Sequence, residues 1–386
     1  MKSTHSISLI LLCCSLFSSC IVPFEPKELI AADPVLVVEG NISLEAPFDI
    51  VVSRTVPLSQ GNVPLAEEGA KVEVVDQNGK IYSAESEVTI GRHSFDISGL
   101  SLDQQIKYFL RITTADNVVY ESEPQLPIHT PPFEVTYVQD DAKREMRLMV
   151  NSFDVGGNSK YYMWSYKETW DYTTLYTAYC MFDNVAGLID LNGTPYMHRC
   201  WGIRYSSDLY LANTDKLSED RIRDLVIQTI PYGDNSITEY YMISVTQTVL
   251  SEPAYRYMEN MRKNSNDIGG LFSPQPNEVQ GNITCITHPD LPAVGYVLVG
   301  TGQSQTLLVD CTHLPPVKEY TPIDTTMSLR SPIYELRKLY NEGFRPYYID
   351  FMASSSQWTE TRCVDCRARG GSPVVPDYWP EFLPRL

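Results

Sequence analysis

The chain has 386 residues, of which 43% are hydrophobic and 20% are charged, and its formal net charge is −18 at pH 7. These proportions are typical of a globular fold, and the length allows two domains. An acidic surface repels phosphate backbones, so nucleic-acid binding is disfavoured and no nucleic-acid partner is expected. Binding of cations or cationic peptides is compatible with such a surface.

The first twenty residues have the pattern of an export signal. A weakly basic start precedes an apolar run over residues 7–17 that is too short to cross a bilayer, and two serines and Cys20 follow. The stretch Leu16-Phe17-Ser18-Ser19-Cys20 resembles a lipobox, whose cysteine is acylated after cleavage. We predict a signal peptide over residues 1–19 and a lipid anchor in the bilayer through Cys20. A signal cut elsewhere, or an uncleaved helix, is the alternative.

Six of the nine cysteines remain once Cys13 and Cys14 leave with the signal and Cys20 carries lipid. An even number of cysteines in an exported protein indicates disulfides, although spacing does not select their pairing. Pairing neighbours along the chain predicts the disulfides Cys180–Cys200, Cys285–Cys311 and Cys363–Cys366.

Residues 20–34 contain three prolines and little that packs, which predicts a lipidated tether. From residue 35 onward, short β-prone runs alternate with turn signals such as Asp76-Gln77-Asn78-Gly79. This spacing predicts an N-terminal β-sandwich domain over residues 35–123. The predicted strands are Val35–Val38, Phe48–Val52, Ala70–Val75, Lys80–Ala84, His93–Ile97, Tyr108–Thr113 and Val118–Glu121.

Prolines between residues 124 and 132 interrupt any strand ladder, so we place a domain boundary there and predict a C-terminal β-rich domain over residues 133–386. A helix is expected near residues 251–264, where Ser251 is a candidate N-cap, and a second short helix follows Ser331. The predicted strands are residues 133–138, 146–153 and 238–249, with a pair formed by 294–299 and 306–309.

The polar stretch over residues 181–235 predicts long loops, among which a binding loop is expected. The predicted fold class is therefore mainly β, with two β-sandwich-like domains in tandem and one short helix and long loops in the second.

The stretch over residues 160–179 carries aromatic side chains at alternate positions, among them Trp164, Tyr166 and Trp170. One interpretation is a stacking platform for a sugar or an aromatic ligand. The other is the core face of the second sandwich, which is favoured because alternating aromatic residues are primarily a packing signal.

Two cysteine patterns invite a chemical interpretation. Cys285 and His288, with Cys311 and His313, have the residue types of a tetrahedral zinc site, but disulfides are the default in an exported chain. Cys363-Val364-Asp365-Cys366 lacks the strand–helix context of a thioredoxin-like motif and favours a structural staple. No His-Glu-x-x-His or Gly-x-Ser-x-Gly motif occurs, so no catalytic residue, metal or cofactor is predicted.

Structural motifs follow one another along the chain as Val37-Val38-Glu39-Gly40, Gly69-Ala70-Lys71-Val72, Ser251-Glu252-Pro253-Ala254-Tyr255, Gly269 to Pro276, Val279 to Ile283, Gly295-Tyr296-Val297, Trp358, Cys363-Val364-Asp365-Cys366, Gly370-Gly371 and Pro376-Asp377-Tyr378-Trp379. This series resembles the family of Bacteroidota lipoproteins known as domain of unknown function 4249. The resemblance implies an outer-membrane lipoprotein, often encoded near TonB-dependent transporters, with no established reaction.

These observations predict a lipid-anchored binding or accessory protein of the outer membrane, on its periplasmic or its surface side. It would work with a TonB-dependent transporter and present loops from residues 181–235 to that transporter or to its substrate. Two other functions stay open: a surface hydrolase with dispersed carboxylates, and a structural or adhesive surface protein.

Overall fold

The structure, a computed structural model, describes residues 34–56, 63–97, 103–266, 281–315, 320–381 and 383. It confirms the predicted fold class, which is mainly β with sandwich-like sheets. The predicted signal peptide, lipidated Cys20, the tether up to residue 33 and the Gly269–Pro276 motif lie outside the described residues. In the described ranges, no helix is long and apolar enough to cross a membrane.

The predicted strands of residues 35–123 coincide with observed strands to within two residues at each end. Alternation explains this accuracy, because successive side chains of a strand point to opposite faces, and Tyr108, Leu110 and Ile112 are all buried. The strands are β1 (Leu36–Glu39), β2 (Ile42–Ser43), β3 (Phe48–Arg54), β4 (Leu65–Ala66), β5 (Lys71–Asp76), β6 (Ile81–Ser83), β7 (Ser86–Thr89), β8 (Arg92–Phe95), β9 (Tyr108–Thr113) and β10 (Val119–Ser122).

The next part of the chain forms the second sandwich and a helix that packs on one end of its outer face. Ser251 precedes the helix, as predicted, and its hydroxyl accepts a hydrogen bond from the Ala254 amide at 3.4 Å. The elements are β11 (Phe133–Asp140), β12 (Glu145–Phe153), β13 (Tyr161–Thr173), β14 (Cys180–Asp183), β15 (Gly187–Asp190), β16 (Arg199–Tyr205), β17 (Tyr210–Asn213), β18 (Arg221–Pro231), β19 (Tyr240–Leu250) and α1 (Glu252–Asn266).

The last part of the chain contributes strands to both sandwiches and then builds a smaller unit. Its second helix follows Ser331, as predicted. The elements are β20 (Ile283–Cys285), β21 (Ala293–Val294), β22 (Val299–Gly300), β23 (Gly302–Asp310), β24 (Asp324–Ser328), α2 (Ile333–Asn341), β25 (Phe344–Asp350) and β26 (Ser355–Glu360).

Two sheets enclose the core of the first sandwich. One has the order β21-β1-β3-β8-β7, with β4 on β3, and the other has the order β20-β10-β9-β5-β6. Leu36 and Ile50 from the first sheet pack with Val74 and Leu110 from the second, and all four are fully buried or nearly so. Burial of such apolar side chains is the main stabilising contribution.

The second sandwich packs the sheet β11-β12-β18 against the sheet β16-β13-β19-β23, in which β17 also pairs with β13. The aromatic strand β13 lies in the middle of the larger sheet. Tyr162 and Trp164 from β13 pack with Leu148 from β12 and Ile243 from β19.

Residues 283–300 return to the first sandwich, which the sequence interpretation did not include. β20 pairs with β10, while β21 and β22 pair in parallel with β1 and β2. The predicted pairing of residues 294–299 with 306–309 is wrong, because β22 joins β2 and β23 joins β19. The predicted domain ranges 35–123 and 133–386 stay predictions, but the strand pairing crosses the proposed boundary.

A buried polar network, which we call the latch, holds the proline-rich connection against the second sandwich. The Thr130 hydroxyl donates to the Thr301 carbonyl at 2.6 Å, and the Val249 amide donates to the same hydroxyl at 3.1 Å. The Gln247 side chain donates to the Pro131 carbonyl at 2.9 Å and accepts from the Trp164 indole at 2.9 Å. Because each of these polar groups is buried, losing one partner leaves the other unsatisfied, at a cost of about 1–3 kcal/mol.

A smaller unit packs beside the second sandwich. Its sheet has the order β24-β26-β25, and α2 and the β14–β15 hairpin cover that sheet. Trp358 is fully buried between Phe182 of the hairpin and Leu336 of α2. The hairpin comes from the stretch predicted as long loops, so that part of the prediction is corrected to strands.

One disulfide joins Cys200 on β16 to Cys366, across 166 positions of the sequence. The predicted pairings are therefore wrong: Cys180, Cys285, Cys311 and Cys363 are buried free thiols. The fold separates neighbours in sequence: Cys285 lies in the core of the first sandwich and Cys311 in that of the second, whereas Cys200 packs with the distant Cys366. Burial raises the pKa of the Cys180 and Cys311 thiols to about 12, which keeps both protonated and unreactive at neutral pH.

Replacing both bonded cysteines, as in Cys200→Ala with Cys366→Ala, should lower the free energy of unfolding by about 2–5 kcal/mol, because a long loop of the unfolded chain is no longer constrained. Urea denaturation measures the loss. Dithiothreitol should lower the midpoint of the unaltered protein and leave that of the double variant unchanged. Peptide mapping without reduction that links Cys363 to Cys366, or Cys180 to Cys200, would contradict the assignment.

Candidate functional site: a groove between the two sandwiches

The three aromatic residues considered for ligand stacking lie mainly in the interior, which is the alternative that the sequence favoured. Trp164 is 0% exposed, and Tyr166 is buried with its hydroxyl 3.3 Å from that of Tyr210. Trp170 is half-buried, and its indole covers Gly202, where an added Cβ would lie 2.4 Å from the ring. The aromatic stripe therefore fills the core, and Trp164 has no face free for a ligand.

The opposite face of β13 forms the outer surface of the same sheet. At one end of this surface, the C-terminal segment covers it through Trp379, which packs on Trp201 and Met242. At the other end, α1 packs on Met163 and Leu250. The middle of the face is left open to solvent.

Hydroxyl side chains occupy this open middle in two neighbouring rows. In one row Ser165 on β13 lies opposite Thr246 on β19, which lies opposite Ser304 on β23. The Thr246 and Ser304 hydroxyl oxygens are 2.9 Å apart.

In the other row, Ser244 on β19 lies opposite Thr306 on β23, and their hydroxyl oxygens are 2.8 Å apart. Each hydroxyl pair uses one O–H donor internally, so the second donor and further lone pairs stay free. We call the five residues of the two rows, Ser165, Ser244, Thr246, Ser304 and Thr306, the hydroxyl strip.

Two tyrosines and a lysine extend one row of the strip. Lys167 lies opposite Tyr205 on β16 and opposite Ser244 on β19. Its ammonium nitrogen is 3.7 Å from the ring centroid of Tyr378 and 5.9 Å from that of Tyr205. Tyr205 is 68% exposed and Tyr378 is 45% exposed, so both rings offer apolar surface to solvent.

The strip continues into a cavity of about 320 Å³ between the two sandwiches, which we call the junction groove. Thr246 and Ser304 belong to both, and Ser43 and Asn41 line the groove from the first sandwich. Gly300 forms part of its wall, where a Cβ would lie 2.4 Å from the Ile128 carbonyl oxygen. A larger residue at Gly300 would therefore push the connection away from the groove.

The carboxylate that lines the junction groove, Asp49, already has partners. It accepts hydrogen bonds from Ser94 at 2.5 Å and from Arg92 at 2.8 Å. These contacts, chiefly the Ser94 hydrogen bond, lower the pKa of Asp49. An ionised, paired carboxylate is a poor general acid.

Two buried carboxylates of β13 serve the structure. Glu168 accepts from Arg204 at 2.5 and 3.1 Å and from the Tyr241 hydroxyl at 2.6 Å. Asp171 pairs with Arg199 and accepts from the Tyr240 amide at 2.9 Å. Burial raises the pKa of Asp171, although its partners oppose that shift. Such pairing compensates for the cost of burying a charge.

The residues considered for zinc do not meet. Cys285 lies in the core of the first sandwich and Cys311 in that of the second. The His313 ring contacts Gln139, with 3.1 Å between the two side-chain nitrogens. Within the described residues, no group of three or more His, Cys, Asp or Glu side chains is arranged to hold a metal ion.

Sequence reasoning missed both the groove and the strip. Alternation along β13 suggested two faces, but only the pairing with β16, β19 and β23 determines what surrounds Lys167. Tyr378 was noted only as part of the Pro376–Trp379 motif, and its contact with Lys167 could not be foreseen because it comes from the distant C-terminal segment.

Comparison with known proteins agrees with the resemblance carried by the motifs. No curated protein matches the chain. The family described as Domain of unknown function (DUF4249) matches residues 21–306, which include the first sandwich, most of the second and the junction groove. The chain therefore belongs to the DUF4249 family.

Proposed function

We propose that this chain is a binding or accessory protein, anchored by lipid on Cys20 in the outer membrane, that works with a TonB-dependent transporter. The lipobox-like Leu16 to Cys20 stretch supports the anchor. The acidic body and the paired Asp49 carboxylate of the junction groove favour binding over hydrolysis.

The observation that carries the proposal is an exposed apolar surface at the end of the smaller unit. Val185 is 90% exposed and Met352 is 98% exposed, and Phe351 and Tyr334 are also largely exposed. Each of the four either lines one cavity of this unit or directly adjoins in sequence a residue that lines it. We call these four residues the tip surface. Clustered apolar side chains of this size on a protein surface mark sites of interaction with another macromolecule.

The tip surface is built on ordered turns. The Asp183 carboxylate accepts hydrogen bonds from the Val185 and Ala186 amides, each at 2.7 Å. The Asp350 carboxylate accepts from the Ala353 amide at 2.9 Å, which closes the second turn. Local hydrogen bonds of this kind fix a turn, so the apolar side chains are held outward before any partner binds.

Contacts between the elements keep the tip surface together. The Arg337 guanidinium on α2 donates to the Asn184 carbonyl at 2.8 Å. A cavity of about 420 Å³ lies behind the surface, lined by Ala186 from one hairpin and Phe351 from the other. One hairpin belongs to the predicted binding region, residues 181–235, and the other adds a segment that sequence reasoning did not assign.

Val185→Asp in the full-length lipoprotein should reduce co-purification of a TonB-dependent transporter from detergent-solubilised membranes at least about tenfold, because a buried unpaired charge at an interface costs more than 1.4 kcal/mol. Quantitative mass spectrometry of the purified protein measures the ratio. Val155→Asp is the matched control, since Val155 is 86% exposed on another turn and its replacement should leave the ratio unchanged. Absence of any transporter, or equal recovery with both variants, would count against the proposal.

Cys20→Ser should release the protein from the membrane, because no acyl chains would then be attached. Metabolic labelling with an alkynyl fatty acid and membrane fractionation measure the two effects. Cys14→Ser, a change inside the apolar run, should leave labelling intact. Labelling that persists after Cys20→Ser would refute the anchor.

A further inference from the structure

We propose that the junction groove, together with the hydroxyl strip and Tyr205, binds a neutral saccharide. This inference rests on the proposed binding function and specifies its ligand class. The groove and the strip are continuous, because Thr246 and Ser304 line the cavity and also belong to the strip.

The polar lining suits a ligand that both donates and accepts hydrogen bonds. The hydroxyls of Ser244, Thr246, Ser304 and Thr306 are paired with one another, and each pair keeps one free donor and several free lone pairs. A sugar hydroxyl also donates one hydrogen bond and accepts others. Each protein hydroxyl can therefore donate to a sugar hydroxyl or accept from it. An apolar ligand would leave the protein hydroxyls unsatisfied, at a free-energy cost.

The aromatic rings supply the apolar contact that a sugar ring requires. Tyr205 is held beside Lys167 by strand pairing, and Tyr378 is fixed by a 3.2 Å contact between its hydroxyl and that of Thr169. A tyrosine ring combines a large apolar face with a polar hydroxyl, and its few rotatable bonds make it inexpensive to order on binding.

The charges around the site favour an uncharged ligand. Lys167 already contacts the Tyr378 ring, and Asp49 in the groove is paired with Arg92. The chain as a whole carries a formal charge of −18, which opposes anionic polymers.

The extent of the site favours a linear chain of sugars. The row from Tyr205 through Lys167 and Ser244 to Thr306 crosses four adjacent strands. With strands about 4.8 Å apart, this row is roughly 14 Å long, which accommodates a few linked sugar rings. The groove of about 320 Å³ then takes one end of that chain.

Native gel electrophoresis of the lipidated protein in detergent, through gels containing mixed-linkage β-glucan, arabinoxylan, galactomannan or starch, tests the proposal. At least one of these neutral polysaccharides should retard the protein. Tyr205→Ala should weaken the apparent affinity about tenfold, because an aromatic contact is lost. Thr246→Val, which keeps the shape and removes the hydroxyl, should weaken it as well.

Tyr334→Ala is the matched control, because Tyr334 is 65% exposed and Tyr205 is 68% exposed. Tyr334→Ala should leave saccharide binding unchanged and weaken transporter recovery. Tyr205→Ala should weaken saccharide binding and leave transporter recovery unchanged. Failure of the saccharide site can therefore be told apart from failure of the proposed partnership with a transporter. A parallel gel contains polygalacturonate, an anionic polysaccharide. No retardation by any neutral polysaccharide, retardation by polygalacturonate alone, or retardation that Tyr205→Ala does not change would overturn the saccharide site.

Discussion

The return of the chain to the first sandwich is the constraint on which the rest of the structure depends. β20, β21 and β22 complete sheets begun by β10, β1 and β2, and the chain then enters the second sandwich as β23. The latch closes the same junction from the other side, through Thr130 and Gln247. Because neither sandwich completes its sheets or satisfies its buried polar groups without this segment, the two behave as one interlocked unit.

This interlocking places a preformed cavity between the sandwiches. Thr246 and Ser304 reach the junction groove from the second sandwich, and Ser43 reaches it from the first. Ligand pockets occur preferentially at such domain junctions, and a wall fixed in advance reduces the entropy lost on binding. The tip surface lies on the smaller unit instead, so a ligand and a protein partner would occupy separate parts of the molecule.

Much of the fold could be predicted from sequence because its signals are local. Alternation and turn signals predicted seven of the ten strands from β1 to β10, and the Ser251 cap predicted the start of α1. The short strands β2, β4 and β7 were not predicted, because runs of two to four residues carry too little pattern. The Cys200–Cys366 disulfide and the pairing of β22 with β2 could not be predicted, because each joins segments far apart in sequence. The site was missed for the same reason: Tyr205, Lys167 and Tyr378 come together only through strand pairing and the C-terminal segment. The burial pattern of β16 also does not alternate, because Cys200, Trp201 and Gly202 are buried in succession, so the strand lacks the period-2 signal of a half-buried strand.

The distance between the two sandwiches is the most direct test of the interlocked junction. Spin labels at Ile81 in the first sandwich and Val155 in the second occupy exposed positions. Double electron–electron resonance on the full-length lipoprotein measures the distribution of distances between them. Interlocked sandwiches predict a single narrow distribution that added polysaccharide leaves unchanged. A broad or two-peaked distribution would contradict the account, because it would show sandwiches that move independently and a groove that is not preformed.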